Sequence, residues 1–264
     1  MGTTATLHSI APAPHATIVP MRGFCAPDHR ANSLCASCGL RELCLPAGLN
    51  NEEIARLDQI VHRRRPLKRG EYLYRAGGTL QSLHAVRTGF LKSCVLHDDG
   101  REQVAGFHMM GELVGLDAIA SGKHLCDAIA LEDSETCEIP FSELEHLGQS
   151  VPALLQHFHR IMSREIARDY GVMLLLGSMR AEERLATFLL NLSQRFAARG
   201  YSASCFNLRM TREEIGSYLG LKLETVSRAF SHFQSEGLIA VQSKSIEIKD
   251  LERLRALVGQ APAH

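Results

Sequence analysis

The sequence predicts an α+β chain in which an antiparallel β-roll is followed by a long helix and a C-terminal winged helix-turn-helix. Three observations carry that expectation. Across residues 70–139 short half-apolar runs alternate with glycines, and Gly78, Gly89, Gly100 and Gly111 recur every eleven residues. Turns at that spacing mark antiparallel rolls and sandwiches. Across residues 151–180 the apolar spacing switches to a helical period. Beyond it, residues 211–241 read as two short helices joined at a glycine and followed by a strand.

Length and charge set the frame for each element. The 264 residues leave room for two domains and a linking element. Lys+Arg and Asp+Glu are equal at 29 each. No global basic excess therefore marks a nucleic-acid partner, and any such contact must come from a local surface. No run approaches the ~18 apolar residues a membrane span needs, so no membrane partner is expected. Residues 1–33 are rich in Pro, Ala and Thr and lack a basic segment leading into a solid apolar run. They read as a disordered tail, not a secretory signal, and a cytoplasmic protein is expected.

Thiols stay reduced in that compartment, so eight cysteines need another use. Four crowd near the start (Cys25, Cys35, Cys38, Cys44), whereas Cys94, Cys126, Cys137 and Cys205 are scattered. In the arm formed by residues 34–49, Cys35-x2-Cys38-x5-Cys44 lets three thiolates reach one centre from a single loop. Thiolates favour zinc or iron–sulfur clusters, and the spacing alone does not choose between them. A fourth ligand must come from elsewhere.

The roll and its preceding helix occupy residues 50–150. Residues 50–61 read as a short helix with Ile54, Leu57, Ile60 and Val61 on one face. The basic run His62-Arg63-Arg64-Arg65 follows and ends at Pro66. Asp99-Gly100, between apolar stretches at 91–96 and 103–107, signals a hairpin.

The long helix of residues 151–180 places Leu155, His159, Met162, Ile166, Asp169, Met173, Leu176 and Arg180 in alternating steps of four and three. That is a heptad seam. Two readings fit it: a helix packed along its own domain, or a parallel two-helix homodimer through Met162, Ile166, Asp169, Met173 and Leu176. In the second reading facing Asp169 carboxylates repel, which makes the dimer weak by default.

Residues 181–264 form the last domain. An amphipathic helix with Leu185, Phe188, Leu189 and Leu192 inward closes at Gly200, and a short strand is expected at 206–210. Thr211 with Glu214 three residues on is a capping box. Ile215, Tyr218 and Leu219 supply the buried face of the first helix, and Gly220 sits where a tight turn needs positive φ. The second helix buries Val226, Phe230 and Phe233 and turns Glu224, Thr225, Ser227 and Arg228 outward near its start. Arg can donate twice to guanine, Glu can accept from cytosine, and Ser suits either. The start of a second helix is where such units meet the major groove of double-stranded DNA. The plainer reading, a Glu224–Arg228 pair on a solvated face, is outweighed by the capped unit and by a wing expected at 237–239 and 244–248.

This segment resembles the winged helix-turn-helix of the CRP/FNR superfamily, and Glu224-Thr225-Val226-Ser227-Arg228 resembles its FNR (fumarate and nitrate reduction) branch. The resemblance extends over residues 34–257. It includes Gly106-Phe107-His108, the Cys137-Glu138-Ile139-Pro140-Phe141 string and the run from Ala181 to Ala186. It implies a cyclic-nucleotide-binding-like sensor roll. It also implies readout of a TTGAT half-site by Glu224, Ser227 and Arg228, and a palindromic site bound by a homodimer. The implied cofactor is an oxygen-labile 4Fe-4S cluster held by Cys35, Cys38, Cys44 and Cys137, and RNA polymerase is the implied partner at promoters. Lys222 departs from the small hydroxyl residue expected to cap the recognition helix. Cys126, eleven residues before Cys137, competes for the fourth place; the matching string favours Cys137. The remaining cysteines read as ordinary small residues.

Rival functions find less support. A cyclic-nucleotide regulator needs an Arg soon after the Gly111-Glu112 turn to hold the phosphate, and none follows until Arg160. A redox enzyme would need a dinucleotide fingerprint or a catalytic constellation, and neither occurs. A zinc-stabilised regulator stays open.

Overall fold

The computed structural model describes residues 35–61, 63–96 and 100–259. The tail expected at residues 1–33, Cys25, His62 and Asp99 lie outside them. Helix α1 (Asn51–Ile60) starts because Asn50 and Glu53 cap each other reciprocally. The Asn50 side chain accepts from the Glu53 amide at 2.9 Å, and the Glu53 carboxylate accepts from the Asn50 amide at 2.9 Å. Ile54, Leu57 and Val61 are buried.

Among the described residues eight strands follow: β1 (Arg63–Leu67), β2 (Tyr72–Tyr74), β3 (Ser82–Thr88), β4 (Phe90–Leu96), β5 (Glu102–Met109), β6 (Leu113–Val114), β7 (Asp127–Ala130) and β8 (Ser134–Pro140). They form two four-stranded antiparallel sheets, ordered β1-β8-β3-β6 and β2-β7-β4-β5. The antiparallel roll is therefore as expected, but it begins at Arg63 and not at Gly70. Three arginines and a proline show no apolar alternation. They form a strand because β1 is an edge, pairing only with β8, where Pro66 needs no second partner. Gly89 shows why a glycine punctuates the roll. Its φ is +84°, and a Cβ there would lie 2.8 Å from Ser134 Cα. The β4–β5 hairpin pairs Phe90 with Met109 and Leu96 with Glu102, with a bulge at Ser93/Cys94.

Helix α2 (Phe141–Ser150) leads into α3 (Pro152–Ser178), which starts with proline in its first turn. Two faces of α3 answer the two readings of its pattern. Leu154, His157, Phe158 and Ile161 are buried against α1, α2 and the first sheet. The heptad seam lies elsewhere: Leu155, Ile166, Met173 and Leu176 are 42, 54, 58 and 38% exposed. Packing on its own domain thus uses a different stripe. Arg180, the last seam position expected, lies beyond the helix end at the N-cap of the next helix, where its amide donates to the Glu183 carboxylate at 2.9 Å.

The C-terminal part comprises α4 (Ala181–Ala197), β9 (Cys205–Asn207), α5 (Arg212–Leu219), α6 (Leu223–Ser235), β10 (Ile239–Gln242), β11 (Ser245–Ile248) and α7 (Leu251–Ala256). A three-stranded sheet runs β10-β11-β9. Strand β9 is shorter than the 206–210 expected, although Leu208 and Met210 remain buried. Strand β10 begins only at Ile239, since Gly237 takes φ +69°. Leu185, Phe188, Leu189 and Leu192 pack with Ile215, Val226, Phe230 and Phe233. The same apolar cluster takes in Phe90, Val104, Phe107 and Met109 of the roll, and Tyr218 lies 5.2 Å from Phe107 and 5.9 Å from Phe188 between ring centroids. Among the described residues no helix is long and apolar enough to cross a membrane.

Candidate metal and DNA-binding sites

The cysteine arm is built from successive tight turns. The Cys38 amide donates to Cys35 O at 3.1 Å, the Arg41 amide to Cys38 O at 3.1 Å, and the Cys44 amide to Leu40 O at 3.1 Å. Side chains pin the arm down. Asp58 of α1 accepts from the Cys35 amide at 2.6 Å, Arg41 donates to Leu49 O at 3.0 Å, and His157 Nε2 of α3 bonds Cys44 O at 3.1 Å. Leu45 and Leu49 are buried beneath it. The turns and the floor of the first sheet enclose a pocket lined by Cys35, Cys38, Cys44 and Cys137 with apolar walls that include Leu57 and Ile139. Cys137 comes from β8, opposite Ala85 of β3 and Arg64 of β1.

Burial sets the acidity of these thiols. It pushes Cys44 up to about 12, with Cys137 and Cys38 adding to the rise. It raises Cys35 further, helped by the Asp58 carboxylate and by Cys44 and Cys137. Thiolates here would repel one another in an apolar setting, and a cationic centre reverses that penalty by holding them deprotonated. The donor set fits an iron–sulfur cluster chemically, being four sulfurs with no carboxylate among the lining residues. Arg41 and Arg87 also line the pocket, paired with Glu42 at 3.6 Å and Glu135 at 2.9 Å. Among the described residues, no three His, Cys, Asp or Glu side chains close on one point as a single ion requires. The four thiols share a pocket at wider spacing.

Cys126, the rival fourth ligand, is buried elsewhere and its thiol donates to Asp117 at 3.5 Å. Cys94 is also buried, and Cys205 is exposed.

The helix-turn-helix starts at Thr211, whose hydroxyl accepts from the Glu214 amide at 3.1 Å while the Glu214 carboxylate accepts from the Thr211 amide at 2.7 Å. Gly220 ends α5 with φ +63°. Gly216 is the less obvious requirement: a Cβ there would lie 2.6 Å from Leu221 O. Helix α6 then presents Glu224, Ser227 and Arg228 to solvent, with Thr225 half-buried and Val226, Ala229, Phe230 and Phe233 inward. Among the described residues, no ion pair joins Glu224 to Arg228. Lys222 occupies the N-cap and makes no side-chain capping hydrogen bond.

The seam residues share one side of α3: Met162 is half-buried, and Ile166, Asp169, Met173 and Leu176 are exposed. Sequence reasoning missed three residues that join the parts. His157 bonds the arm from α3. Arg184 ties the end of α3 to α5, donating to Leu176 O at 2.9 Å and Leu219 O at 3.0 Å. Glu112 accepts from Arg195 and Arg199, so the carboxylate considered for a cyclic nucleotide is occupied internally. Arg195 near the end of α4 and Arg199 just beyond it, four apart, were the available signal.

Comparison with known proteins agrees with this arrangement. Residues 183–257 match the Crp-like helix-turn-helix domain family and residues 64–150 the cyclic nucleotide-binding domain family. The chain is 51% identical over 225 residues to the transcriptional activator protein Anr of Pseudomonas protegens, covering 85% of this chain and 92% of that protein. It is 48% identical over 225 residues to the fumarate and nitrate reduction regulatory protein of Escherichia coli K12, covering 85% and 90%. The structure of FixK2 from Bradyrhizobium japonicum superposes with a TM-score of 0.68 at 31% identity, over 76% of this chain and 98% of that one.

Proposed function

The chain belongs to the CRP/FNR family of transcription regulators, and from that premise we propose that its DNA binding is controlled by a 4Fe-4S cluster held by Cys35, Cys38, Cys44 and Cys137. The observation that carries this reading is the convergence of one β8 thiol and three arm thiols on a single apolar pocket. Bound there, the cluster supplies an oxygen-labile link between arm and roll. The chain's own residues do the rest. The apolar walls limit water access to the thiols, and Asp58 and Arg41 hold the arm's turns. His157 holds the Cys44 carbonyl, so displacement of the arm removes a restraint on the first turns of α3. The division into an arm (34–49), a roll (50–150), a dimerisation helix (151–180) and a DNA-binding domain (181–264) follows from the same reading.

Two protomers joined along the seam of α3 would present two copies of α6 to a palindromic site one helical turn apart. Glu224, Ser227 and Arg228 read base edges, Thr225 supports them, and roll loops meet RNA polymerase on promoters. The names of the relatives, an activator and a fumarate and nitrate reduction regulator, support an activating role in fumarate and nitrate reduction, which this reading places in anaerobic metabolism in the cytoplasm. The direct test is iron and acid-labile sulfide on protein purified without oxygen. About four of each per chain, with a visible spectrum that bleaches in air, is expected for this cluster. Zinc or no metal would remove the oxygen-sensing step and leave DNA binding standing.

Asp169 sets how readily the seam opens. Facing carboxylates in an otherwise apolar stripe disfavour pairing, so Asp169→Ala should be dimeric and bind DNA in air at concentrations where the wild-type chain is monomeric. Light scattering together with a DNA-binding titration measures both. A strictly monomeric, DNA-silent variant would contradict the assignment.

A further inference from the structure

The Gly111-Glu112 turn between β5 and β6 touches the cysteine arm on one side and the DNA-binding part on the other. Its backbone is fastened to β3: the Gly111 amide donates to Val86 O at 2.8 Å, and the Val86 amide donates to Glu112 O at 2.9 Å. Ala85 and Val86 also line the thiol pocket. Gly111 takes φ +86° and lies so close to the arm that a Cβ would stand 2.9 Å from Leu43 Cβ. Leu43 directly precedes Cys44.

The Glu112 side chain gathers the rest of the molecule. Arg195 of α4 donates to it through Nε at 3.1 Å and Nη2 at 2.6 Å, and Arg199 donates through Nη2 at 2.7 Å. Arg168 of α3 lies 3.6 Å away, and the Met109 amide donates at 3.1 Å. The two α4-side arginines also reach the roll backbone, at Phe107 O (2.7 Å) and Met110 O (2.6 Å). The Arg199 side chain is 5% exposed and the Glu112 side chain 15%. Burial pushes the Glu112 carboxyl up, but Arg195 and Arg168 outweigh it and hold the group down at about 2. Glu165 is paired with Arg168, and Asp169 also acts on that guanidinium. Without Glu112, Arg195 and Arg199 would lose the carboxylate they share.

We infer that Glu112 is a positioning residue that couples the cysteine arm to the DNA-binding helices, through Leu43 against Gly111 on one side and Arg195, Arg199 and Arg168 on the other. A shift of the arm moves the turn, and the turn sets where α4 sits. Helix α4 shares an apolar core with α6, so the recognition helix follows. The inference rests on the reading of the arm as the sensor, and its two readouts separate the two claims.

Hydrogen exchange by mass spectrometry on the metal-free full chain addresses the junction alone. Glu112→Gln should raise exchange at the end of α4 and across α5 at least tenfold over wild type. The second readout is the ratio of DNA affinities between anaerobically reconstituted and metal-free protein. In Glu112→Gln that ratio should fall toward one while iron content stays at the wild-type level. A residue with a merely structural role would weaken both states alike and leave the ratio intact. Glu112→Asp should keep part of the ratio, and Arg199→Gln, which retains the carboxylate, should lower it even if Glu112→Gln folds poorly. Wild-type exchange, or a wild-type ratio in both Glu112→Gln and Arg199→Gln, overturns the inference. If the wild-type chain itself shows no ratio, the sensing reading falls. Exchange in the metal-free chain then decides the junction, raised exchange supporting it and unchanged exchange rejecting it.

Discussion

Cys137→Ala should fold normally, lose most of its iron and sulfide, and bind DNA without oxygen no better than the metal-free chain does. The fold survives because the substitution deletes one sulfur from a half-buried position in β8, whose pairing with β1 and β3 is made by the backbone. On the proposed reading the sensing function would not survive, because Cys137 is the one thiol of the pocket lining that comes from the roll. Coupling between a signal and a binding site is typically about 1–3 kcal/mol, so a drop of roughly 5- to 150-fold in anaerobic DNA affinity is expected. Cys126→Ala is the matched control. Its thiol is bonded to Asp117 away from the pocket, and iron content should stay at the wild-type level. Full iron in Cys137→Ala together with its loss in Cys126→Ala would reverse the assignment.

Arg228→Ala should weaken binding to a cognate site by about 1–3 kcal/mol and relax the preference for guanine at one position. It should leave thermal stability within about 0.5 kcal/mol, because Arg228 is exposed and surface changes away from packing or capping features cost little. The two halves of this prediction are measured separately, by titration against sites differing at single base pairs and by thermal unfolding. Equal losses on every sequence would mark Arg228 as a phosphate contact. An unchanged titration would remove it from the interface.

How much of this was legible in the sequence depended on whether local chemistry or a distant partner decided the outcome. The helix-turn-helix was legible because its determinants are local: a reciprocal cap at Thr211 and Glu214, a left-handed Gly220, and an apolar stripe at Val226, Phe230 and Phe233. The hairpin of β4 and β5 was legible for the same reason. Strand β1 was not, since Arg63, Arg64, Arg65 and Pro66 have no strand pattern of their own and are recruited by β8. Helix α3 was half legible. Its heptad seam was visible, but the buried stripe of Leu154, His157, Phe158 and Ile161 overlaps it in sequence, and only the packing of α1 and α2 separates them. At the thiol pocket, Cys35, Cys38 and Cys44 announce themselves by spacing. Cys137 stood out through a resemblance, and the structure brings it into the same pocket lining. Glu112 drew notice for its neighbouring glycine, whereas its partners Arg168, Arg195 and Arg199 lie 56 or more residues away.

The missing side-chain cap at Lys222 has a consequence for how stability is divided between the free protein and its complex. A small hydroxyl or carboxylate at that position would contribute about 1 kcal/mol to the folded chain, and a cation next to the positive end of a helix costs a few tenths more. The free protein forgoes that gain. In return Lys222 supplies no side-chain acceptor to the first amides of α6 and sets a positive charge beside them, at the end of the helix proposed to read DNA. Phosphate oxygens would satisfy both. On that reading the helix that its own sequence leaves uncapped would be completed by its target, and a measure of rigidity withheld from the free regulator would be returned as affinity on DNA.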